Sequence, residues 1–389
     1  MAQNNYKIKL VNDTITYEDI KDLSNWLLTN PRLTKGEKTI EFENAWSKWQ
    51  ERKYSVFVNS GSSANLAMIY SLMLSGKLKN KKIIIPAISW VTTVAPIVQL
   101  GLKPIMCDAD YETLGINIDH LKSLILDYKP AALIIVHVLG FPNKMKEILE
   151  LCRENDIILL EDSCESMGST YDGVKTGNFG LMSSFSTYYG HHFSTIEGGI
   201  INTDDEDLYN IILSIRSHGW DRDLPEYKRK ELRIKEGVSE FRALYTFYYP
   251  GFNLRSTDLQ AFIGIDQLKR LNNIVAQRHL NFKIYQTLIK NELWKIKEFD
   301  NVFVSNFAYP YITSKEKFDK VVKSLQKNGV EIRPLVCGSI GEQPFWKKLN
   351  YNHNMPFAKI VHERGLYLPN NPQITKEEIE FICDIVNNV

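Results

Sequence analysis

Five short runs of uninterrupted apolar residues recur between Tyr54 and Asp204: Val56-Phe57-Val58, Ile83-Ile84-Ile85, Pro104-Ile105-Met106, Leu133-Ile134-Ile135-Val136 and Ile157-Ile158-Leu159-Leu160. A strand with one face in water alternates apolar and polar residues, so a run without alternation reads as a strand covered on both faces. Ala64 to Met73 and Met145 to Cys152, which fall between these runs, carry apolar residues at helical spacing. Strand and helix in turn require crossover connections. The expected class is therefore α/β, a doubly wound and mostly parallel sheet with helices on both faces.

Further along, Asp205 to His218 reads as a helix, and the charged stretch Asp221 to Lys235 reads as a loop or insertion. After the turn Tyr249-Pro250-Gly251-Phe252-Asn253, a helical pattern runs from Thr257 to about Asn291, with Leu259, Phe262, Ile263, Ile265, Leu268 and Leu271 on one side. Its length suits a connector between domains. The last hundred residues offer strands only near Val302 to Ile312 and Val330 to Leu335, with helices at Lys315 to Lys327 and Lys376 to Val386. That supports a small α+β domain, and the expected division is 1–265 for the large domain and 266–389 for the small one.

Composition narrows the function classes. With 389 residues and 44% hydrophobic content there is material for a sizeable core, and 47 Lys+Arg against 46 Asp+Glu leave a net charge of +1. No global field draws such a chain to nucleic acid or to an anionic membrane, so any anionic ligand must be held by local groups. Met1-Ala2-Gln3-Asn4-Asn5-Tyr6 shows no basic segment leading into an apolar one, and no run is long enough to span a bilayer. A cytoplasmic location is expected. Cys107, Cys152, Cys164, Cys337 and Cys383 are scattered without close pairing, which argues against a disulfide framework, a zinc site or a four-thiolate iron–sulfur cluster.

Several short segments carry chemistry. Ser60-Gly61-Ser62-Ser63-Ala64-Asn65 lies between an expected strand and an expected helix. Such a turn exposes backbone N–H groups and hydroxyls at a positive helix end, which suits a phosphate; it is also what an ordinary capped strand-to-helix turn looks like. Glu161-Asp162 closes a buried strand at its carboxyl end, where ligands of open α/β sheets sit, and Asp162 either holds a pyridine nitrogen protonated or caps the next helix. Glu165 follows three residues on. Trp90 opens the helix after Ile83-Ile84-Ile85-Pro86 and is placed either to stack on an aromatic ligand or to fill the core.

Taken in order, Ser60 to Asn65, Pro86-Ala87-Ile88-Ser89-Trp90, Glu161-Asp162-Ser163-Cys164-Glu165, Ser186 to Gly199 and Gly251-Phe252-Asn253-Leu254-Arg255 resemble the DegT/DnrJ/EryC1/StrS family of pyridoxal phosphate enzymes acting on nucleotide-linked 4-keto sugars. The resemblance covers about residue 20 to the C-terminus and implies the aspartate aminotransferase fold (fold type I). It implies that Gly61, Ser62, Ser63 and Ser186 cradle the cofactor phosphate, that Trp90 stacks on its ring, that Asp162 pairs with the pyridine nitrogen and that Glu165 faces the ring hydroxyl. Asn253 is expected to reach the phosphate in a second subunit, since family active sites form at a homodimer interface. His218, Arg222, Arg255 and Arg333 are further candidates for substrate contacts.

The chain departs from the family pattern at His191, in Gly190-His191-His192-Phe193, where the aminotransferases carry their Schiff-base lysine. Imidazole moves protons but does not hold an aldehyde covalently. Histidine at this place resembles the sugar 3-dehydratase branch of the family. The implied activity is glutamate-dependent C3 deoxygenation of a nucleotide-linked 4-keto-6-deoxyhexose, with GDP-4-keto-6-deoxy-D-mannose as the expected substrate and pyridoxal and pyridoxamine 5'-phosphate as the cofactor forms. His191 is the expected catalytic residue. Neighbours on an extended segment point to opposite faces, which leaves His192 a supporting place. Two other readings stay open: a 4-amino-sugar transaminase using another lysine, with Lys175 nearest but placed in a hairpin turn, and a non-catalytic cofactor or sugar-nucleotide binder.

Overall fold

The computed structural model describes residues 6–290, 293–351 and 354–389. Residues 1–5, which carry most of the reading of the N-terminus, and Asn291 at the end of the long helical pattern lie outside the described residues. A seven-stranded sheet forms the centre: β1 (Tyr54–Val58), β2 (Lys82–Pro86), β3 (Lys103–Cys107), β4 (Ala132–Val136), β5 (Ile158–Asp162), β6 (Met182–Ser186) and β7 (Gly199–Thr203), in the order β1-β7-β6-β5-β4-β2-β3. Strands β2 to β6 pair in parallel, and only β7 runs antiparallel to its neighbours β1 and β6. The sheet is mostly parallel, as the unbroken apolar runs imply.

Alternate residues of the same strands feed different cores. Ile83, Ile85 and Ile134 pack into one, whereas Ile84, Leu133 and Ile135 pack into another with the helices Ile118–Tyr128 and Met145–Glu154. Both faces are thus covered. The helix Gly61–Leu74 is itself enclosed, with Ala64, Asn65, Ala67, Met68 and Ser71 all buried.

Strands β6 and β7 are absent from the sequence expectation. Their residues, Met-Ser-Ser-Phe-Ser and Gly-Ile-Ile-Asn-Thr, break the apolar run with small or polar ones, yet every one is buried. Hydrogen bonds make this burial tolerable: Ser184 Oγ donates to Asn65 Oδ1 at 2.6 Å, and Trp46 Nε1 and Ser55 Oγ both donate to Asn202 Oδ1. The charged stretch read as a loop is corrected to a helix, Glu226–Lys235. It has no buried residue and is laced instead by Lys228–Glu231 and Lys230–Glu226 pairs at helical spacing.

The long helix spans Asp258–Leu288, opened by a capping box between Thr257 and Gln260. Residue 265, the expected divide, falls inside it, so a two-part division that shares this helix is our proposal. Beyond it, Tyr309–Ile312, Gly365–Leu368 and Arg333–Pro334 make a three-stranded antiparallel sheet, of which Gly365–Leu368 is not among the expected strands. The start of the chain belongs here too. Lys7 and Ile8 donate backbone bonds to the Gly329 carbonyl, and Ile8 bridges Val330. Among the described residues no helix is long and apolar enough to cross a membrane.

Candidate active site

The carboxyl ends of β1, β5 and β6 open on one cavity of about 690 Å³, which the C-terminal sheet closes from the other side. A volume of this order holds one or two small ligands. At its floor β1 runs into Ser60, the N-cap of the helix Gly61–Leu74. Gly61 is required by close approach: a Cβ there would lie 2.5 Å from the Cβ of Ser186 at the end of β6. The same holds for Gly199, whose Cβ would meet the Ser60 carbonyl oxygen at 2.2 Å. Ser60, Gly61, Ser62 and Ser186 therefore converge at a positive helix end, a place that receives an anion. Ser63 does not itself line the cavity: its N–H donates to Ser60 Oγ and its hydroxyl oxygen accepts from Ser60 Oγ, each at 3.0 Å, at the cap of the helix.

Asp162 projects from the last position of β5 and is 4% exposed. Its Oδ2 accepts from Asn65 Nδ2 at 2.8 Å and Thr93 Oγ1 at 2.7 Å, and its Oδ1 accepts from the Cys164 N–H at 3.2 Å. No helix follows β5 directly, so the capping alternative does not occur. The carboxylate is instead aimed into the cavity, where it can accept from a cationic N–H. Glu165 accepts from the Leu139 N–H at 2.7 Å; burial pushes its carboxyl up to about 7 against that bond, with the Asp162 charge adding to the rise. Trp90, N-terminal to the helix Val91–Gln99, stands 56% exposed at the cavity wall. The core alternative for it falls, and its ring is free to stack.

His191 lies on the connection between β6 and β7 and lines the cavity. Its ring packs on Phe307 with centroids 5.3 Å apart, and its Nδ1 is buried without a hydrogen-bond partner. Burial holds the imidazole down to about 4 despite the nearby Asp162 carboxylate, and Arg278 adds to the depression. At neutral pH it is a free base. His192 faces the other way as expected, fully buried, with Nε2 2.9 Å from Ser305 Oγ.

Of the expected substrate contacts only Arg333 lines the cavity, paired with Glu331 at 2.6 Å. His218, Arg222 and Arg255 lie outside the cavity of their own chain: they gather around Trp220, with Arg222 4.0 Å and Arg255 5.8 Å from its ring. Asn253 is exposed and also outside it, bridged to Ser217. The chain from Ser217 to Arg255 rejoins the sheet beside the end of β1, where Arg255 bridges Val58 and the Asn59 N–H donates to the Leu254 carbonyl, but these side chains do not line the cavity. Sequence reasoning missed Lys9, Tyr188, Tyr189, Phe307, Glu331 and Tyr367, all lining residues. The tyrosines stood within the His191 segment; the others arrive from distant parts of the chain. Lys175 sits in the expected hairpin, its ammonium on Glu51 at 2.6 Å and over Trp49, away from the cavity.

A model of the DegT/DnrJ/EryC1/StrS aminotransferase family matches residues 14–387. The chain is 36% identical over 383 residues to GDP-4-keto-6-deoxy-D-mannose 3-dehydratase of Escherichia coli O55:H7, covering 96% of this chain and 97% of that protein. Among solved structures it is similar to the E. coli GDP-4-keto-6-deoxy-D-mannose-3-dehydratase with bound hydrated PLP, at 35% identity and a TM-score of 0.90 over 98% of this chain and 99% of that one. It is similar also to a GDP-4-keto-6-deoxymannose-3-dehydratase with a trapped PLP-glutamate geminal diamine, at 35% identity and a TM-score of 0.89 over 97% of this chain and 100% of that one. With the fold, the edge-of-sheet cavity and these likenesses in agreement, the chain belongs to the DegT/DnrJ/EryC1/StrS aminotransferase family.

Proposed function

We propose that the chain is a sugar-nucleotide 3-dehydratase that removes the C3 hydroxyl of GDP-4-keto-6-deoxy-D-mannose, using pyridoxal phosphate, its amine form, and glutamate as amino donor. The observation that carries this reading is a free-base histidine, His191, in the cavity wall of a family whose transaminases use lysine. The residues present suit the cofactor. Ser60, Gly61, Ser62 and Ser186 would hold its phosphate, Asp162 its pyridinium N–H, and Trp90 the flat ring, with Glu165 near the ring hydroxyl. When bound there, pyridoxal phosphate supplies an electron sink.

The chain's own groups do the rest. Asp162, fixed by Asn65 and Thr93, presents its carboxyl oxygens where the ring nitrogen would sit. His191 accepts a proton as neutral imidazole and returns it, as the conjugate acid, to the departing C3 hydroxyl. Arg333 and Lys9 offer positive charge for the diphosphate at the same cavity. Glutamate, leaving as 2-oxoglutarate, would supply the two electrons that replace C3–OH by C3–H, and water would hydrolyse the sugar C4–N bond, so that the nitrogen leaves as ammonia and the sugar as a 3-deoxy-4-keto product; imidazole, unlike lysine, does not capture the aldehyde.

The reading includes a homodimer. Asn253 is exposed and outside its own cavity, so it is free to complete the phosphate site of a second copy, and His218, Arg222 and Arg255 share that exposed region. A cytoplasmic location is part of the same proposal and suits five free cysteines. Borohydride reduction followed by peptide mapping tests the core of it. No pyridoxyl-lysine peptide is expected; an adduct on Lys9, the lysine in the cavity wall, or on Lys175 would favour the transaminase.

A further inference from the structure

We infer that Arg278 is a positioning residue for His191, tying the histidine backbone to its Phe307 wall and setting a fixed positive charge behind the imidazole. This inference rests on the reading of His191 as the acid–base group. Arg278 projects from the long helix Asp258–Leu288 and is 3% exposed. Among the described residues its guanidinium meets no carboxylate. It donates instead to four backbone carbonyls: Phe307 at 2.8 Å, Asn306 and His191 at 3.4 Å, and Asn370.

A buried cation without an acid is costly and needs a reason. Here burial alone pushes the Arg278 guanidinium down to about 9. The four carbonyls belong to three segments of the chain. The connection from β6 to β7 brings His191, the stretch before Tyr309–Ile312 brings Asn306 and Phe307, and the loop after Gly365–Leu368 brings Asn370. Asn370 Nδ2 closes the arrangement by donating to Asn306 Oδ1 at 2.9 Å and to the Arg278 carbonyl at 3.1 Å. Phe307 is the ring against which His191 packs, and the guanidinium lies 5.9 Å from its centroid. Nη1 makes the bonds to Asn306, Phe307 and Asn370 and Nη2 the one to His191, while the buried Nε has no partner, so the two terminal nitrogens divide the carbonyls between the C-terminal segments and the histidine connection.

The groups that face His191 are few: the Asp162 carboxylate from β5, the Cys164 backbone beyond it, Arg278 from the long helix and His192 alongside. Burial does most to keep His191 a free base; Asp162 favours imidazolium and the Arg278 charge opposes it, so Arg278 adds to what burial does next to a carboxylate that belongs to the cofactor. An acid partner for Arg278 would cancel that effect.

The test uses the whole protein with histidine labelled for NMR, and the His191 signal is assigned by its loss in His191→Asn. In cofactor-free Arg278→Gln the His191 protonation midpoint should rise above the wild-type value, while Arg278→Lys should keep it low. In the loaded enzyme Arg278→Lys should lower kcat on the order of ten- to a hundred-fold with KM nearly unchanged, the scale set by small misplacements of a reacting group. An unchanged midpoint in folded Arg278→Gln overturns the inference. Should that variant not fold, wild-type kcat in Arg278→Lys overturns it equally. Failure of the underlying reading shows separately, as dehydration that survives in His191→Asn.

Discussion

Gly61→Ala places a single methyl group where the start of the helix Gly61–Leu74 passes Ser186. The added carbon would sit 2.5 Å from Ser186 Cβ, 3.0 Å from its Oγ and 3.2 Å from its Cα. Carbon atoms rest about 3.5–4.0 Å apart, so the helix end and the end of β6 must separate by about 1 Å. The atoms in the way are backbone or next to it, and no rotamer change relieves them. Overpacking of this kind costs about 1–3 kcal/mol. The same displacement pulls apart the N–H groups of the helix end and the Ser186 hydroxyl, which the account assigns to one phosphate. A 1 Å misplacement costs roughly a hundredfold in rate. Unfolding by urea gives the first quantity, and fluorescence titration of the cofactor-free protein with pyridoxal phosphate gives a companion loss of affinity. Ser62→Ala is the control: it leaves the backbone alone, so only the loss of one hydrogen bond is expected, about 0.5–1.5 kcal/mol of cofactor affinity. A Gly61→Ala protein with wild-type stability and wild-type cofactor affinity would refute the reasoning.

Asp162→Asn should lower turnover by orders of magnitude, because an amide cannot keep the pyridinium proton, while Asn65 and Thr93 still have an oxygen to donate to; full activity in steady-state assays would contradict this. Stability against pH should separate His191 from Glu165. His191 titrates at about 4 when folded against about 6.5 unfolded, so the unfolded chain takes up more protons in that window and stability falls as pH drops through it. Glu165, raised to about 7, does the reverse: the folded chain holds the extra proton, and stability falls as pH rises toward 7. Urea midpoints between pH 4 and 7.5 should therefore change slope in opposite senses for His191→Asn and Glu165→Gln. Mixing inactive His191→Ala and Asn253→Ala chains should restore about a quarter of wild-type sites, the expectation for free exchange in closed dimers. No recovery after proven exchange would count against a shared site.

The five apolar strands were legible because burial on both faces leaves unbroken apolar runs, and the site motifs at their carboxyl ends could be placed on that frame. Strands β6 and β7 were not legible: Ser183, Ser184 and Asn202 are buried by hydrogen bonding to Asn65, Trp46 and Ser55, and such pairing has no signature in local sequence. The helix Glu226–Lys235 was hidden for the opposite reason, since it has no apolar face to give a period. A phosphate turn and a helix cap use the same residues, so the sequence alone could not show that Ser60 Oγ is the one that caps, accepting from the Ser63 N–H and donating to the Ser63 hydroxyl. Lys9, Phe307, Glu331 and Tyr367 reach the cavity through the pairing of residues 7 and 8 with Gly329 and through the C-terminal sheet, contacts too distant along the chain for any window of residues to reveal. Arg278 belongs with them, a buried cation whose partners are all backbone carbonyls.

The most direct test of a histidine-for-lysine dehydratase is product analysis. The protein is incubated with pyridoxal phosphate, glutamate and GDP-4-keto-6-deoxy-D-mannose, and ammonia, 2-oxoglutarate and the sugar product are measured together. One ammonia is expected for each 3-deoxy-4-keto sugar formed, with His191→Asn abolishing both. A 4-amino sugar retaining its C3 hydroxyl, formed without release of ammonia, would contradict it.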